Sequence, residues 1–155
     1  MGARKNRRRE QEAEGGSVLN QVGALPFRRD KEGNIEIMLI TTRQTRRFTL
    51  PKGWSMKGKS DRKAARIEAK EEAGVEGTIA GKAVGSYFYW KRTERCFLPI
   101  RVTVYLLETR RTLSRWKERR ERLRKWLRPA EAALLVDEPE LVSLLRQAGE
   151  GGLQS

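Results

Sequence analysis

Three carboxylates, Glu68, Glu71 and Glu72, occupy positions i, i+3 and i+4 of the segment from Gly53 to Val75, GWSMKGKSDRKAARIEAKEEAGV. On a helix of about 3.6 residues per turn those positions share one face. Like charges so placed repel one another unless a cation sits among them. Carboxylate oxygens are the preferred ligands of Mg²⁺ and Mn²⁺, ions that keep several waters and share their other positions with substrate phosphates. A glutamate pair on a charged helix is most often a plain solvated surface. Here the carboxylates stand a fixed distance after the turn Pro51-Lys52-Gly53, and the combination points to a cation held over a phosphate chain.

The elements that must position these groups follow from periodicity. A helix over 61–73 carries Ala65, Ala69 and Ala73 at i+4 spacing on a second face, small enough to lie close against a sheet. Gly74 follows at once, the residue type that takes the left-handed C-terminal conformation without strain. Strands are predicted at 18–27 and 35–41 around the polar run from Arg29 to Asn34, which is hairpin chemistry. Others follow at 48–50, leading into the glycine loop, and at 84–90 and 97–107. In the last, Leu98, Ile100, Val102, Val104 and Leu106 alternate with Arg101, Thr103 and Tyr105, the period of a strand with one face in the core. Two more helices are predicted, at 129–136 with Pro129 in its first turn, and at 138–148 with apolar Leu141, Leu144 and Leu145. Residues 1–17 are basic and aperiodic and are predicted to be a disordered tail. One domain is expected over 18–148, then a C-terminal tail over 149–155.

Composition agrees with a single enzyme domain. A chain of 155 residues, 37% of them hydrophobic, is long enough to bury a real core. There is no apolar run approaching about 18 residues, so no membrane span is expected. The N-terminal stretch lacks the apolar segment of a secretory signal, and Asn6 stands where a myristoylation pattern needs Ser or Thr. Cys96 is the single cysteine, which excludes an internal disulfide and points to the reducing cytoplasm. The chain has no histidine. Ser-His-Asp triads and histidine-ligated zinc are thereby excluded, leaving carboxylates, lysines and arginines to carry any reaction.

Thirty-four Lys and Arg against twenty Asp and Glu give a net charge of +14, which favours polyanionic partners. Residues 110–128 hold ten basic and two acidic side chains, a local net of +8. Such a run can grip nucleic acid or a highly phosphorylated ligand, or form a solvated face. No base-stacking reading motif accompanies it, so a nucleic-acid role is not the favoured reading.

The segment beginning at Gly53 resembles the signature of the Nudix hydrolases, G-x5-E-x7-R-E-U-x-E-E-x-G-U, where U is a bulky aliphatic residue. Gly53, Glu68, Glu71, Glu72, Gly74 and Val75 match it. Lys59 stands at the early glutamate, Ile67 at the arginine, and Ala69 is small for its U position. The family's arginine orients the glutamates by charge pairing. Arg66 is one residue away, a rotation of about 100°, and cannot simply replace it. Loss of both partners implies either a coupled change or a weakened activity. GALPFRR, ITTRQTRRFTLPKGW, GSYFYWKR and the stretch from Trp126 to Ala132 are similar to the branch containing the diphosphoinositol polyphosphate phosphohydrolases and their bacterial relatives. The resemblance covers residues 21–147 and implies an α/β/α sandwich with a mixed sheet.

That resemblance implies a Mg²⁺-dependent pyrophosphohydrolase, with Mn²⁺ as the other candidate ion. Glu71 and Glu72 would hold the cation, and Glu68 would either join them or act as base on a water. The backbone carbonyl of Gly53 would be a further ligand. Relatives recruit another acidic residue from a loop before the last strand, for which Glu118 and Glu121 are the candidates. Phosphate binding falls to Lys52, then Arg43, Arg47, Lys57 and Lys59, with Lys91 and Arg92 behind them; lysine acts as a point charge and arginine as a fork. Among Tyr87, Phe88, Tyr89 and Trp90, strand alternation puts about half in the core and leaves the rest to stack on a base. Trp116 and Trp126 are expected to be packing residues. The substrate class is a small polyphosphate: a dinucleoside polyphosphate, a diphosphoinositol polyphosphate or a capped RNA end. The competing reading is a degenerate domain that binds a phosphorylated ligand or RNA without turnover.

Overall fold

A computed structural model describes the backbone of residues 2–150 and the side chains from Arg7 onward. In chain order the elements are α1 (Gly2–Glu14), β1 (Leu19–Arg29), β2 (Ile35–Thr41), β3 (Phe48–Thr49), β4 (Lys52–Trp54), α2 (Asp61–Glu68), a π-helical turn (Ala69–Ala73), β5 (Val75–Ile79), β6 (Gly85–Arg92), β7 (Phe97–Thr112), β8 (Arg124–Leu127), α3 (Pro129–Leu135) and α4 (Pro139–Gly149).

β1 is the hub of a mixed sheet ordered β3-β2-β1-β7-β5, with β4 paired to β1, β6 to β7 and β8 to β2. It runs parallel to β7, from Leu19 opposite Ile100 to Phe27 opposite Glu108. Its hairpin to β2 turns on Asp30, whose carboxylate accepts the backbone N–H groups of Glu32 and Asn34, each at 2.9 Å.

Alternation along the central strands sorts two cores. Leu25, Phe27, Ile37, Leu39 and the β7 series from Leu98 to Leu106 face Ala132, Ala133, Leu141 and Leu145 of α3 and α4. Val22, Ala24, Met38, Ile40 and Leu107 face Ala64, Ala65, Ala69 and Ala73 on the other side. The alanines are fully buried, as expected for a helix seated directly on the sheet. Helices thus cover both faces, and the predicted mixed α/β sandwich is the observed architecture.

Several elements differ from expectation. Residues 2–14 of the tail predicted to be disordered form helix α1, a stretch rich in Arg, Glu and Ala with an i,i+4 pair between Arg8 and Glu12 at 3.4 Å. Its Arg9 guanidinium lies 3.7 Å from the Trp54 ring centroid, and Ala13 packs against the larger core. Of the tail expected at 149–155, Gly149 closes α4 and 151–155 lie outside the described residues. The helix expected over 61–73 ends in the π turn, and β7 runs five residues beyond 107 to Thr112. β4, β5 and β8 were not signalled by periodicity: each is short, two contain glycine, and the third lies within a basic run.

Candidate active site

The loop after β3 and the helix of residues 61–73 meet over the end of β1. β4 pairs with β1, Val22 opposite Gly53, which fixes the glycine in the sheet. Ser60 caps α2 by accepting the Lys63 N–H at 3.3 Å. Gly74 ends the helical run in the left-handed conformation, at φ 66° and ψ 37°.

Gly53 and Glu68 are in direct apposition: a methyl group at Gly53 would lie 2.6 Å from Glu68 Oε1. Only a residue without a side chain leaves the carboxylate this space. Burial first, then the charges of Glu72 and Glu71, push the Glu68 carboxyl up to about 8. A carboxyl displaced so far from its ordinary value can exchange a proton near neutral pH.

Glu72 is buried and held from two directions. Its Oε1 accepts the backbone N–H of Lys52 at 3.1 Å, and its Oε2 lies 3.3 Å from Arg122. Burial raises its pKa, while Arg122 and Lys52 pull it back down. Glu118 enters from the loop between β7 and β8. It pairs with Arg122 Nε at 2.9 Å and adds to the negative field at both Glu68 and Glu72. Glu71, half-buried, leans outward to Lys117 at 3.7 Å. Among the described residues no three acidic side chains are gathered closely enough to enclose an ion in this conformation.

The cations are divided by the fold. Lys52 points inward, its Nζ 3.3 Å from Thr49 Oγ1 and 5.0 Å from the Tyr89 ring centroid. Burial pushes its ammonium down to about 8, against the pull of Glu72. Lys91 lies in the same field: burial lowers its pKa, Arg43, Arg9 and Arg122 lower it further, and Glu72 raises it. Arg43 is exposed at the rim, 4.0 Å from Glu121, so Glu118 and not Glu121 is the acidic residue this loop brings inward. Arg47 is tied to Asp137 at 3.2 Å. Lys57 and Lys59 stand exposed between β4 and α2, and neither is within ion-pair distance of a candidate carboxylate. The backbone there is a turn closed by the Lys59 N–H donating to the Met56 carbonyl at 3.1 Å, with Gly58 at φ 76°.

The aromatic run splits as strand alternation requires. Tyr87 is fully buried, and Tyr89 faces Lys52 with its hydroxyl donating to Gln21 at 2.7 Å. Phe88 and Trp90 pack edge to face on the opposite side of β6, where Arg92 also points. The apolar groove under α4, lined by Leu25, Val84, Leu106 and Leu144, is separate from all of these groups.

Trp116 and Trp126, expected to be packing residues, do pack, against Arg124 and Arg28; what sequence reading missed in the basic run is Arg122, Arg124 and the hydrogen bond of Trp116. Trp116 donates its indole N–H to the Glu72 carbonyl at 3.2 Å. Arg124 stacks on Trp116 and reaches the carbonyls of Ala73 at 3.0 Å, Gly74 at 3.2 Å and Leu113 at 2.6 Å. The segment thus caps the open C-terminal end of the carboxylate helix. Trp126 packs under Arg28, 4.1 Å from ring centroid to guanidinium. A buried-end pattern of Trp and Arg after a long strand was the available signal, hidden by the surrounding charge.

A family model for the NUDIX domain matches residues 19–148. Nudix hydrolase 16, mitochondrial, of Arabidopsis thaliana is 35% identical over 138 residues, covering 81% of this chain and 76% of the plant protein. Nudix hydrolase 13, mitochondrial, of the same plant is 28% identical over 66% of this chain, which spans about half, 54%, of that relative. Among solved structures, a C. elegans Ap4A hydrolase binary complex superposes with a TM-score of 0.66 at 25% identity, covering 88% of this chain and all, 100%, of that one. The NUDIX domain of Shewanella oneidensis NrtR complexed with ADP ribose shares the fold at a TM-score of 0.58 and 15% identity, covering 87% of this chain and 88% of that one. With the domain matched along almost its whole length and a hydrolase relative above 30% identity, the chain belongs to the Nudix hydrolase family.

Proposed function

We propose that this protein is a Mg²⁺-dependent pyrophosphohydrolase, with Mn²⁺ as an alternative ion, that cleaves a phosphoanhydride bond in a small substrate carrying several linked phosphates. The observation that supports it best is the apposition of Glu68 to the bare main chain of Gly53, with Glu72 and Glu118 joined through Arg122 and with Lys52 and Lys91 in the same field. The donor set is all oxygen, and burial with mutual repulsion keeps its carboxyls from ionising fully on their own, which suits a hard divalent cation. Glu68, Glu71, Glu72 and Glu118, with the Gly53 carbonyl, would hold it. When bound, such an ion supplies charge neutralisation on phosphate and activation of water.

The protein groups divide the remaining work. Lys52 and Lys91, both desolvated, gain a counter-charge when a phosphate enters, so binding energy concentrates there. Arg43 extends the field at the rim, and Lys57 and Lys59, exposed outside it, would meet only a phosphate that projects from the pocket. Arg47 contributes after release from Asp137. Glu68 either joins the ligand set or takes the proton of the attacking water as its oxygen bonds to phosphorus and the bridging oxygen leaves.

Dinucleoside polyphosphates are the first class to test, because an Ap4A hydrolase is among the similar structures. Diphosphoinositol polyphosphates and other nucleoside diphosphate derivatives follow, on the flanking segments quoted above. The alternative is a weakened domain that binds a phosphorylated ligand or RNA, favoured by Lys59 and Ile67. A reducing compartment such as the cytoplasm goes with this reading, supported by the single cysteine. No helix among the described residues is long and apolar enough to cross a membrane.

The experiment is phosphate release from a substrate panel with and without Mg²⁺, in parallel with Glu72→Gln. Mg²⁺-dependent turnover that collapses in the variant is expected. Binding without turnover, or turnover indifferent to Glu72, would overturn the reading.

A further inference from the structure

Ile67 leaves the carboxylate helix without an inward-pointing cation of its own. Arg66 is exposed, and Lys70 is drawn out to Glu76 at 3.3 Å. A buried guanidinium nevertheless reaches Glu72 from another part of the chain. Arg122 is only 9% exposed, and each of its three nitrogens has a separate acceptor: Nε to Glu118 at 2.9 Å, Nη2 to Glu72 at 3.3 Å and Nη1 to the Thr41 carbonyl at 3.1 Å.

Those partners are themselves fixed. Thr41 is buried at the end of β2, and its hydroxyl accepts the Leu123 N–H at 2.9 Å while its own N–H donates to the Leu123 carbonyl at 3.0 Å. The Glu118 N–H donates to the Glu71 carbonyl at 3.0 Å. Arg122 therefore ties three elements together: the end of β2, the β7–β8 loop and the last turn of the carboxylate helix. Lysine, a single point donor on a flexible stem, cannot reproduce that three-way geometry.

We propose that Arg122 is a positioning residue that orients Glu72 and Glu118 for cation binding, supplying from the β7–β8 loop the charge pairing that Ile67 does not supply from the helix. This rests on the proposed metal-dependent hydrolase reading, but its test does not need a substrate. A partner that fixes ligating side chains typically contributes about 10–100-fold in metal affinity or activity. The two variants separate positioning from charge. Arg122→Lys keeps the charge and loses the fork. Arg122→Gln loses the charge, which by simple electrostatics would tighten cation binding, whereas loss of positioning weakens it.

The experiment is Mn²⁺ titration of the full chain by electron paramagnetic resonance for parent, Arg122→Lys and Arg122→Gln. Folding is checked by circular dichroism, and kcat and KM are measured on whichever substrate the parent turns over. Both variants are expected to bind Mn²⁺ roughly 10–100-fold more weakly, with kcat reduced and KM for the polyphosphate within about twofold. If either folded variant binds Mn²⁺ as the parent does, or Arg122→Gln binds it more tightly, the proposal is overturned and Arg122 is packing or bulk charge. A parent that binds no Mn²⁺ overturns it also. A parent that binds Mn²⁺ but hydrolyses nothing overturns the hydrolase reading alone, and weakened binding in the variants then still supports positioning.

Discussion

Gly53 and Glu68 are locked in a side-chain-to-backbone apposition in which any β-carbon at position 53 would lie 2.5 Å from the Glu68 carboxyl carbon. The obstructing group is the far end of a flexible side chain, so the backbone need not break to make room. Gly53→Ala is therefore expected to displace Glu68 while leaving the fold intact. Activity should fall at least about tenfold, as small misplacements of reacting groups do, with a melting temperature within a few degrees of the parent. A large loss of stability with activity retained per folded molecule would contradict the assignment.

Among the described residues Glu68 has no cationic partner, and its charge is opposed by burial and by Glu72 and Glu71. Glutamine removes the cost of taking up a proton at this carboxyl on folding. Glu68→Gln should raise the melting temperature of the metal-free protein by a few degrees, about 2–4 °C per kcal/mol for a chain of this size, and abolish most turnover. Differential scanning calorimetry in EDTA would check the first and phosphate release the second.

The same group sets a pH dependence. Its folded value is about 8 against an ordinary 4.5, so between those values the folded chain holds a proton that the unfolded chain has lost. Stability from this source is full below the unfolded value and is lost as pH rises through the folded one. Melting of the metal-free protein should therefore decline from about pH 4.5 to about pH 8, and the decline should flatten in Glu68→Gln. Saturating Mg²⁺ should reverse it. A melting temperature that rises over the same window in parent and variant alike would refute this account.

Lys52 is desolvated and faces both Glu72 and the Tyr89 ring. Lys52→Met retains the stem and loses the charge, so the fold should survive. KM for the polyphosphate should rise by about tenfold or more, equivalent to roughly 1.4 kcal/mol of lost binding. Initial-rate kinetics give the answer, and an unchanged KM would remove Lys52 from the phosphate site.

Arg124 satisfies three carbonyls around the end of the carboxylate helix and stacks on Trp116. Arg124→Ala should destabilise the fold by about 2 kcal/mol, since partly buried acceptors lose their donors. Chemical denaturation would measure it. A change below about 0.5 kcal/mol would show that water replaces the guanidinium there.

The carboxylate helix was legible in the sequence because its determinants are local. Glu68, Glu71 and Glu72 share a face through helical spacing, Ala65, Ala69 and Ala73 mark the face against the sheet, and Gly74 marks the stop. The alternation from Leu98 to Leu106 likewise named one side of a core strand, because a strand's period of two is written in consecutive residues. Tertiary structure decided what spacing cannot encode. Glu118 was chosen over Glu121, Lys91 was drawn into the field of Lys52, and Lys57 and Lys59 were left outside it. The basic run at 110–128 changed most: Arg122 became a buried strut and Arg124 a half-buried one, because the loop after β7 folds back across the carboxylate helix and finds acceptors 50 and 81 residues earlier in the chain. Charge density is a property of sequence, but which charges lose water and gain partners depends on contacts between distant segments, and only the folded chain brings those together.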